Sequence, residues 1–186
     1  VIGFKWYCND IDGNWNGTIT QTLTTTSPIQ PEVFGHTSIG GTVETIPVSY
    51  VFACRFQAPQ GGVATMISAY IHGKYQSGLV KVMIYSDVNG KADSLLFESG
   101  QITLSSSWAW HNFTINFNLE AGKYYWFAVF ASVESEYRYD TGLASQEAVA
   151  WDWTYPNVPA KFNGVYEPSY SAKVASIYVT YTPSGA

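Results

Sequence analysis

Val63-Ala64-Thr65-Met66-Ile67-Ser68-Ala69-Tyr70-Ile71 reads with a period of two. Successive side chains of a strand point to opposite faces, so Val63, Thr65, Ile67, Ala69 and Ile71 are expected on one side and Ala64, Met66, Ser68 and Tyr70 on the other. Turn chemistry bounds the run, with Pro59-Gln60-Gly61-Gly62 before it and Gly73-Lys74-Tyr75-Gln76-Ser77-Gly78 after it. Ser49 to Phe56 and Leu79 to Tyr85 flank these turns with more β-branched and aromatic residues. Further out, Leu95 to Leu104, Trp110 to Phe117, Lys123 to Ser132, Gln146 to Trp153 and Lys173 to Thr182 continue the pattern. They are interrupted at Asn89-Gly90, Glu120-Ala121-Gly122 and Pro156 to Pro159.

No helix-length window carries an apolar stripe of period 3.6. About eight strands with no helices to cover a parallel sheet predict an all-β fold, an antiparallel two-sheet β-sandwich, with jelly-roll topology ahead of an immunoglobulin-like order. The 186 residues suit a single domain. Within it, residues 1–48 are a Thr/Ser/Gly-rich leading segment whose short pieces, Thr18-Ile19-Thr20 and Thr42-Val43-Glu44, predict weak strands or an extended wrap.

Composition narrows the partners. Charged residues make up only 12% of the chain and aromatic residues 17%, with a net charge of -5, so no basic stripe is available for phosphates or an anionic membrane. Nucleic acid is therefore excluded as an expected partner, and no apolar run reaches the ~18 residues of a membrane span. A neutral ligand fits this surface better. A chain that begins at Val1 rather than Met is expected to be a mature or excised portion of a longer protein.

The aromatic residues are the strongest candidates for function. Phe52, Phe56, Trp126, Phe127 and Phe130 lie inside strong strands and are expected in the core. Trp108-Ala109-Trp110 and Trp151-Asp152-Trp153 are W-x-W pairs, in which alternation would place two indoles roughly 6 to 7 Å apart on one face. Tyr137-Arg138-Tyr139 repeats the arrangement with phenols, and Tyr155, Tyr166 and Tyr170 lie in loop-like sequence. Trp108, Trp110, Tyr137, Tyr139, Trp151, Asp152, Trp153 and Tyr155 are thus the expected ligand-binding set, an aromatic shelf for the apolar face of a sugar ring with polar neighbours for its hydroxyls. The competing reading puts one member of each pair at the rim of the core.

Other constellations are weaker. Asn9-Asp10-Ile11-Asp12-Gly13-Asn14 spaces oxygen ligands like a calcium loop, with Asp10 and Asp12 as ligands, but lacks the bidentate Glu at the twelfth position. No cofactor is required on this reading, and a calcium ion there would be structural. Cys8 and Cys54 lack zinc spacing and read either as one disulfide or as two free buried thiols. Nucleophile-elbow, zinc-protease, P-loop and dinucleotide motifs are all missing. A glycosidase or lyase would have to draw its paired carboxyls from Glu134, Glu136, Asp140, Glu147 and Asp152.

Cys54-Arg55-Phe56-Gln57-Ala58-Pro59, Ile67-Ser68-Ala69-Tyr70-Ile71, Val80 to Asp87 with Asn89-Gly90, Ser94-Leu95-Leu96 and Leu119 to Val129 together resemble a known pattern. It is that of the jelly-roll β-sandwich modules of secreted and cell-surface proteins in bacteria and archaea, many of them carbohydrate-binding modules attached to polysaccharide-degrading enzymes. Tyr137 to Gly142 and Pro159-Ala160-Lys161-Phe162 fit its later part. Where such modules have Asn-Gly-x-Pro-Gly, this chain has Asn89-Gly90-Lys91-Ala92-Asp93. The resemblance covers about Ser49 to Thr182. It implies an extracellular, non-catalytic module that binds a neutral polysaccharide (a plant-type β-glucan, xylan or mannan) and targets the catalytic domain of a parent enzyme to it. The alternative expectation is a structural subunit of a cell surface or filament.

Overall fold

The computed structural model describes residues 2–17, 20–23, 29–163 and 167–184; Thr18, Ile19 and Tyr166 lie outside the described residues. Among the described residues every regular element is a β-strand. β1 (Ile2–Phe4), β2 (Tyr7–Asn9), β3 (Trp15–Gly17) and β4 (Gln21–Leu23) make two antiparallel ribbons, β1 with β4 and β2 with β3. Two larger sheets follow, built from β5 (Glu32–Gly35), β6 (Thr42–Ile46), β7 (Val51–Gln57), β8 (Gly62–Gly73), β9 (Gly78–Val88), β10 (Lys91–Glu98), β11 (Ile102–Leu104), β12 (Ala109–Leu119), β13 (Tyr124–Ala131), β14 (Ser135–Thr141), β15 (Glu147–Ala150), β16 (Ser169–Ser171), β17 (Lys173–Ala175) and β18 (Ile177–Pro183).

Sheet I runs β10-β9-β13-β7-β15-β16, with β11 also on β9. Sheet II runs β17-β14-β8-β18-β5, with β12 on the other edge of β8 and β6 on β14. All pairings are antiparallel. The chain crosses repeatedly between sheets, and their facing sides enclose one core that includes Phe52, Ile67, Ile71, Phe113, Phe127, Tyr137 and Tyr181. This is the β-sandwich expected from the alternating pattern.

The hairpin at Asn89-Gly90 forms as its sequence requires. Both residues have positive φ, 53° and 80°, the backbone demanded by a tight turn that matches strand twist. Asp87 has structural duties beside it: its carboxylate accepts from Gly90 N at 3.2 Å, Arg55 Nε at 2.6 Å and Trp126 Nε1 at 2.9 Å.

A second apolar layer covers the outer face of sheet I. Trp126, Phe130, Tyr85 and Val51 point away from the main core and are capped by Trp153 and Phe162 from the irregular segment after β15. Trp126, Phe127, Phe130 and Phe52 are therefore buried as expected, in two different layers, and Phe56 packs at the edge of the main core.

The expected phase of β8 holds over Ile67, Ala69 and Ile71, which are buried, and fails at its start. Ala64 is buried while Val63 and Thr65 are exposed. Thr65 is the cause. Met66 pairs with Thr180 and Ala64 with Tyr181, leaving Thr65 no counterpart on β18, and the β12 register jumps from Thr114 to Phe117 at the same level. One extra residue in a strand reverses the side on which its neighbours fall.

Two substitutions test this placement in urea denaturation. Phe127→Ala, at the centre of the core, is expected to cost about 3–5 kcal/mol. Val63→Thr, on the solvent side of the bulge, is expected to stay within about 0.5 kcal/mol of the parent.

Candidate ligand-binding site

β8 positions the site because it is paired on both edges. Its outward residues are Ser68, Tyr70 and His72. Register sets their neighbours: Asn112 and Trp110 on β12 lie opposite Ser68 and Tyr70, Tyr178 on β18 opposite Ser68, and Glu136 on β14 opposite His72. Trp108 enters from the turn just before β12.

Four half-buried rings form a continuous strip on this outer face of sheet II. Trp108 stacks on Tyr70 with centroids 5.4 Å apart and planes 13° from parallel. Trp110 lies 5.4 Å from Tyr70 and 5.0 Å from Tyr178. Polar groups border the strip. The Arg138 guanidinium sits 5.1 Å over the Trp108 ring, and the His72 ring is 4.1 Å from the same indole. His72 Nε2 is 3.0 Å from Glu136, which also accepts from Thr45 at 3.1 Å and pairs with Lys74 at 3.4 Å. Partial burial opposes the Glu136 charge, but hydrogen bonds from His72, Thr45 and Lys74 outweigh it and hold the carboxyl below its ordinary range. Ser68 Oγ donates to Asn112 at 2.8 Å. The arrangement offers contiguous ring surface, with Trp110 inclined 58° to Tyr70 and 66° to Tyr178, beside fixed donors and acceptors.

Trp108 and Trp110 therefore come together as the sequence suggests, and they recruit Tyr70 and Tyr178, which the reading of aromatic pairs missed. The signal was present in the alternation, which places Tyr70 opposite Ile67, Ala69 and Ile71, and Tyr178 opposite Ile177, Val179 and Tyr181.

Trp151 and Trp153 do not share a face. Asp152 has φ 66°, a left-handed conformation that ends strand alternation. Trp153 turns into the outer layer of sheet I, 4% exposed, against Phe130 and Phe162. Trp151 instead stacks near Tyr50 at 6.4 Å. Asp152 is exposed, and Tyr155 is half-buried against Phe130 with Lys81 5.7 Å from its ring. Tyr137 is a core residue rather than a shelf residue: it is 1% exposed and stacks on Phe52 at 4.2 Å. Tyr139, on the same side of β14, packs against that core with Lys173 4.9 Å from its ring.

The inward side of β15 carries an unusual group. Glu147 is 1% exposed between the sheets; Tyr137 Oη donates to it, Ser171 Oγ donates at 2.7 Å, and Lys173 Nζ lies 4.0 Å away. Burial raises its pKa above the ordinary 4.5, against the opposing pull of Tyr137, Ser171 and Lys173. Above it opens a pocket of about 350 Å³ lined by Glu44, Tyr50, Val149, Trp151, Ser169 and Lys173. Glu136 lies on the outer face of sheet II, so these two carboxyls of the expected acidic cluster face different sides of that sheet.

The remaining expectations resolve locally. Asp10 Oδ1 accepts from the backbone N–H of Asp12 at 3.0 Å and of Asn14 at 2.9 Å, closing the turn between β2 and β3, where Gly13 has φ 82°. Among the described residues no three His, Cys, Asp or Glu side chains gather around a common metal position. Cys8 and Cys54 are both free, so of the two readings the disulfide is not formed, and the reading of two buried thiols holds for Cys54 but not for Cys8, which is exposed. Cys8 is exposed on a ribbon that pairs with neither sheet, whereas Cys54 points into the core and accepts from Ala175 N at 3.3 Å. Burial, and next the nearby Glu147, push the Cys54 thiol pKa upward.

No family model matches the chain, and no curated protein matches it. Among solved structures it is similar to a clostridial cysteine protease, Cwp84, determined after propeptide cleavage, with TM-score 0.61 and 12% identity over 92% of this chain. The chain spans 44% of that protein's chain. At this identity the likeness shows the fold alone. An infectious bursal disease virus structure, at TM-score 0.31 and 9% identity, carries no argument.

Asp152→Gly is expected to leave the unfolding midpoint nearly unchanged or raise it, and Asp152→Val to cost about 1–2 kcal/mol, because a β-branched residue strains the left-handed backbone. Glu147 binds its proton more tightly folded than unfolded, so its contribution to stability is complete below the unfolded value of 4.5 and is lost as pH rises through the folded one. The Tm of Glu147→Gln minus that of the parent should therefore grow as pH rises from about 4 toward neutrality.

Proposed function

We propose that this chain is a non-catalytic carbohydrate-binding module that holds a neutral polysaccharide along the Trp108–Tyr70–Trp110–Tyr178 strip. The supporting observation is that contiguous rings on one rigid sheet face are bordered by Arg138, His72, Glu136 and Asn112. Pyranose rings present apolar C–H faces and peripheral hydroxyls, so flat indoles with polar groups at their margins suit them. Arg138 lies over an indole, and Lys74 at the border of the strip pairs with Glu134 and Glu136. A neutral chain is thus favoured over an anionic one. On this reading the module is extracellular and carries an attached catalytic domain to its substrate, and the ligand is a plant-type β-glucan, xylan or mannan.

A structural surface or filament role is the second reading, supported by the leading ribbons. Trp6 and Trp15 are each 72% exposed there, with Tyr7 and Ile11 beside them, and exposed apolar surface of this kind marks interaction sites. Light scattering after size exclusion separates the readings, because a chain that stays monomeric at every concentration removes the filament role.

Affinity electrophoresis against cellulose, xylan, mannan and β-glucan tests the main reading. Retardation by at least one is expected, with Trp108→Ala or Trp110→Ala weakening it about 5- to 30-fold, the equivalent of ~1–2 kcal/mol for one stacked ring. Retardation by none of them would end the proposal. Release of reducing sugar from the same panel would instead show an enzyme.

A further inference from the structure

The flank pocket is built differently from the strip and lies elsewhere. The strip occupies the outer face of sheet II, whereas the pocket opens between the sheets, where β15 and β16 of sheet I approach β6 and β17 of sheet II. Its apolar wall is Trp151 and Tyr50, inclined at only 30° to each other. Its floor is Glu147, fixed by Tyr137 and Ser171. Ser169 and Ser171 add hydroxyls, and Lys173 donates to Glu44 at 2.7 Å.

We propose that this pocket is a second carbohydrate subsite, independent of the strip, that receives the terminal neutral sugar residue of a chain. The inference rests on the carbohydrate reading and adds the part of the glycan recognised. Size argues for an end: about 350 Å³ is near the lower limit of the ~300–1,000 Å³ of small-ligand sites, too little for a polysaccharide lying lengthwise. Closure argues the same way, because the Glu147–Tyr137–Ser171 floor blocks passage between the sheets. Charge argues for neutrality. Lys173 is paired with Glu44 at 2.7 Å and lies 4.0 Å from Glu147, so the one cation lining the pocket is already matched by carboxyls. Ser169 and Ser171 line the pocket, and serine hydroxyls both donate and accept, as sugar hydroxyls require. Trp151 and Tyr50 then serve the ring's apolar face.

The test is an indole N–H spectrum titrated with cellotriose, xylotriose and mannotriose, with Trp151 assigned by Trp151→Phe and Trp108 and Trp110 by their own Phe variants. At least one trisaccharide is expected to move the Trp151 signal in both the parent and Trp108→Ala. Ser171→Ala, with an otherwise unchanged amide spectrum, is expected to weaken that response about tenfold. If trisaccharides or solubilised polysaccharide move Trp108 and Trp110 but leave Trp151 in place, the pocket proposal is overturned and the strip reading stands. Movement of Trp151 alone, with the trisaccharides and with solubilised polysaccharide alike, supports the pocket and removes the strip. If no sugar moves any of the three, both fall.

Discussion

β8 is hydrogen-bonded along both edges, and its alternation sets what every neighbour does. Ile67, Ala69 and Ile71 face inward to meet sheet I, so Ser68, Tyr70 and His72 have only the outer face available. Antiparallel register then transmits this choice sideways, bringing Trp110 and Tyr178 to the same side as Tyr70. A slip of one residue would send the aromatic strip into the core and the core into water. The Thr65 bulge resets the phase at one end of β8, so that Ala64 and Ile67 both face inward.

Sheet I solves a different problem. Its outer face carries Tyr85, Trp126 and Phe130, too apolar to meet solvent, and the segment after β15 folds over it. Asp152 makes this cover workable. Its left-handed backbone sends Trp153 into the outer layer and leaves Trp151 at the flank with Tyr50. One residue of unusual φ thus links the packing of sheet I to the wall of the pocket. The same cover takes in Lys81, which is buried there with Glu98 and the Pro156 carbonyl as partners, so the charge is matched where it is desolvated.

Polar groups at the two candidate sites are held in contrasting states. Glu136 stays ionised because His72, Thr45 and Lys74 all donate to it or pair with it near solvent. Glu147, sealed between sheets, is pushed toward its neutral form by loss of water. Two carboxyls close in sequence are therefore shifted in opposite directions, Glu136 downward and Glu147 upward.

The long strands β7, β8, β9, β12 and β13, the Asn89-Gly90 turn, the all-β class and the core places of Phe52, Trp126, Phe127 and Phe130 were legible in the sequence because period two and turn chemistry are local properties of the chain, whereas β14 was not read as a strand. Pairing Trp108 with Trp110 was legible for the same reason. The strand order, the separation of Trp151 from Trp153, the burial of Tyr137 and the free state of Cys8 and Cys54 were not. Each depends on a contact with residues distant in the chain: Phe52 beneath Tyr137, Phe162 against Trp153, a core around Cys54. Alternation tells which residues share a side of one strand. Only the packing of two sheets and their cover decides whether that side meets water, a second sheet or a ligand.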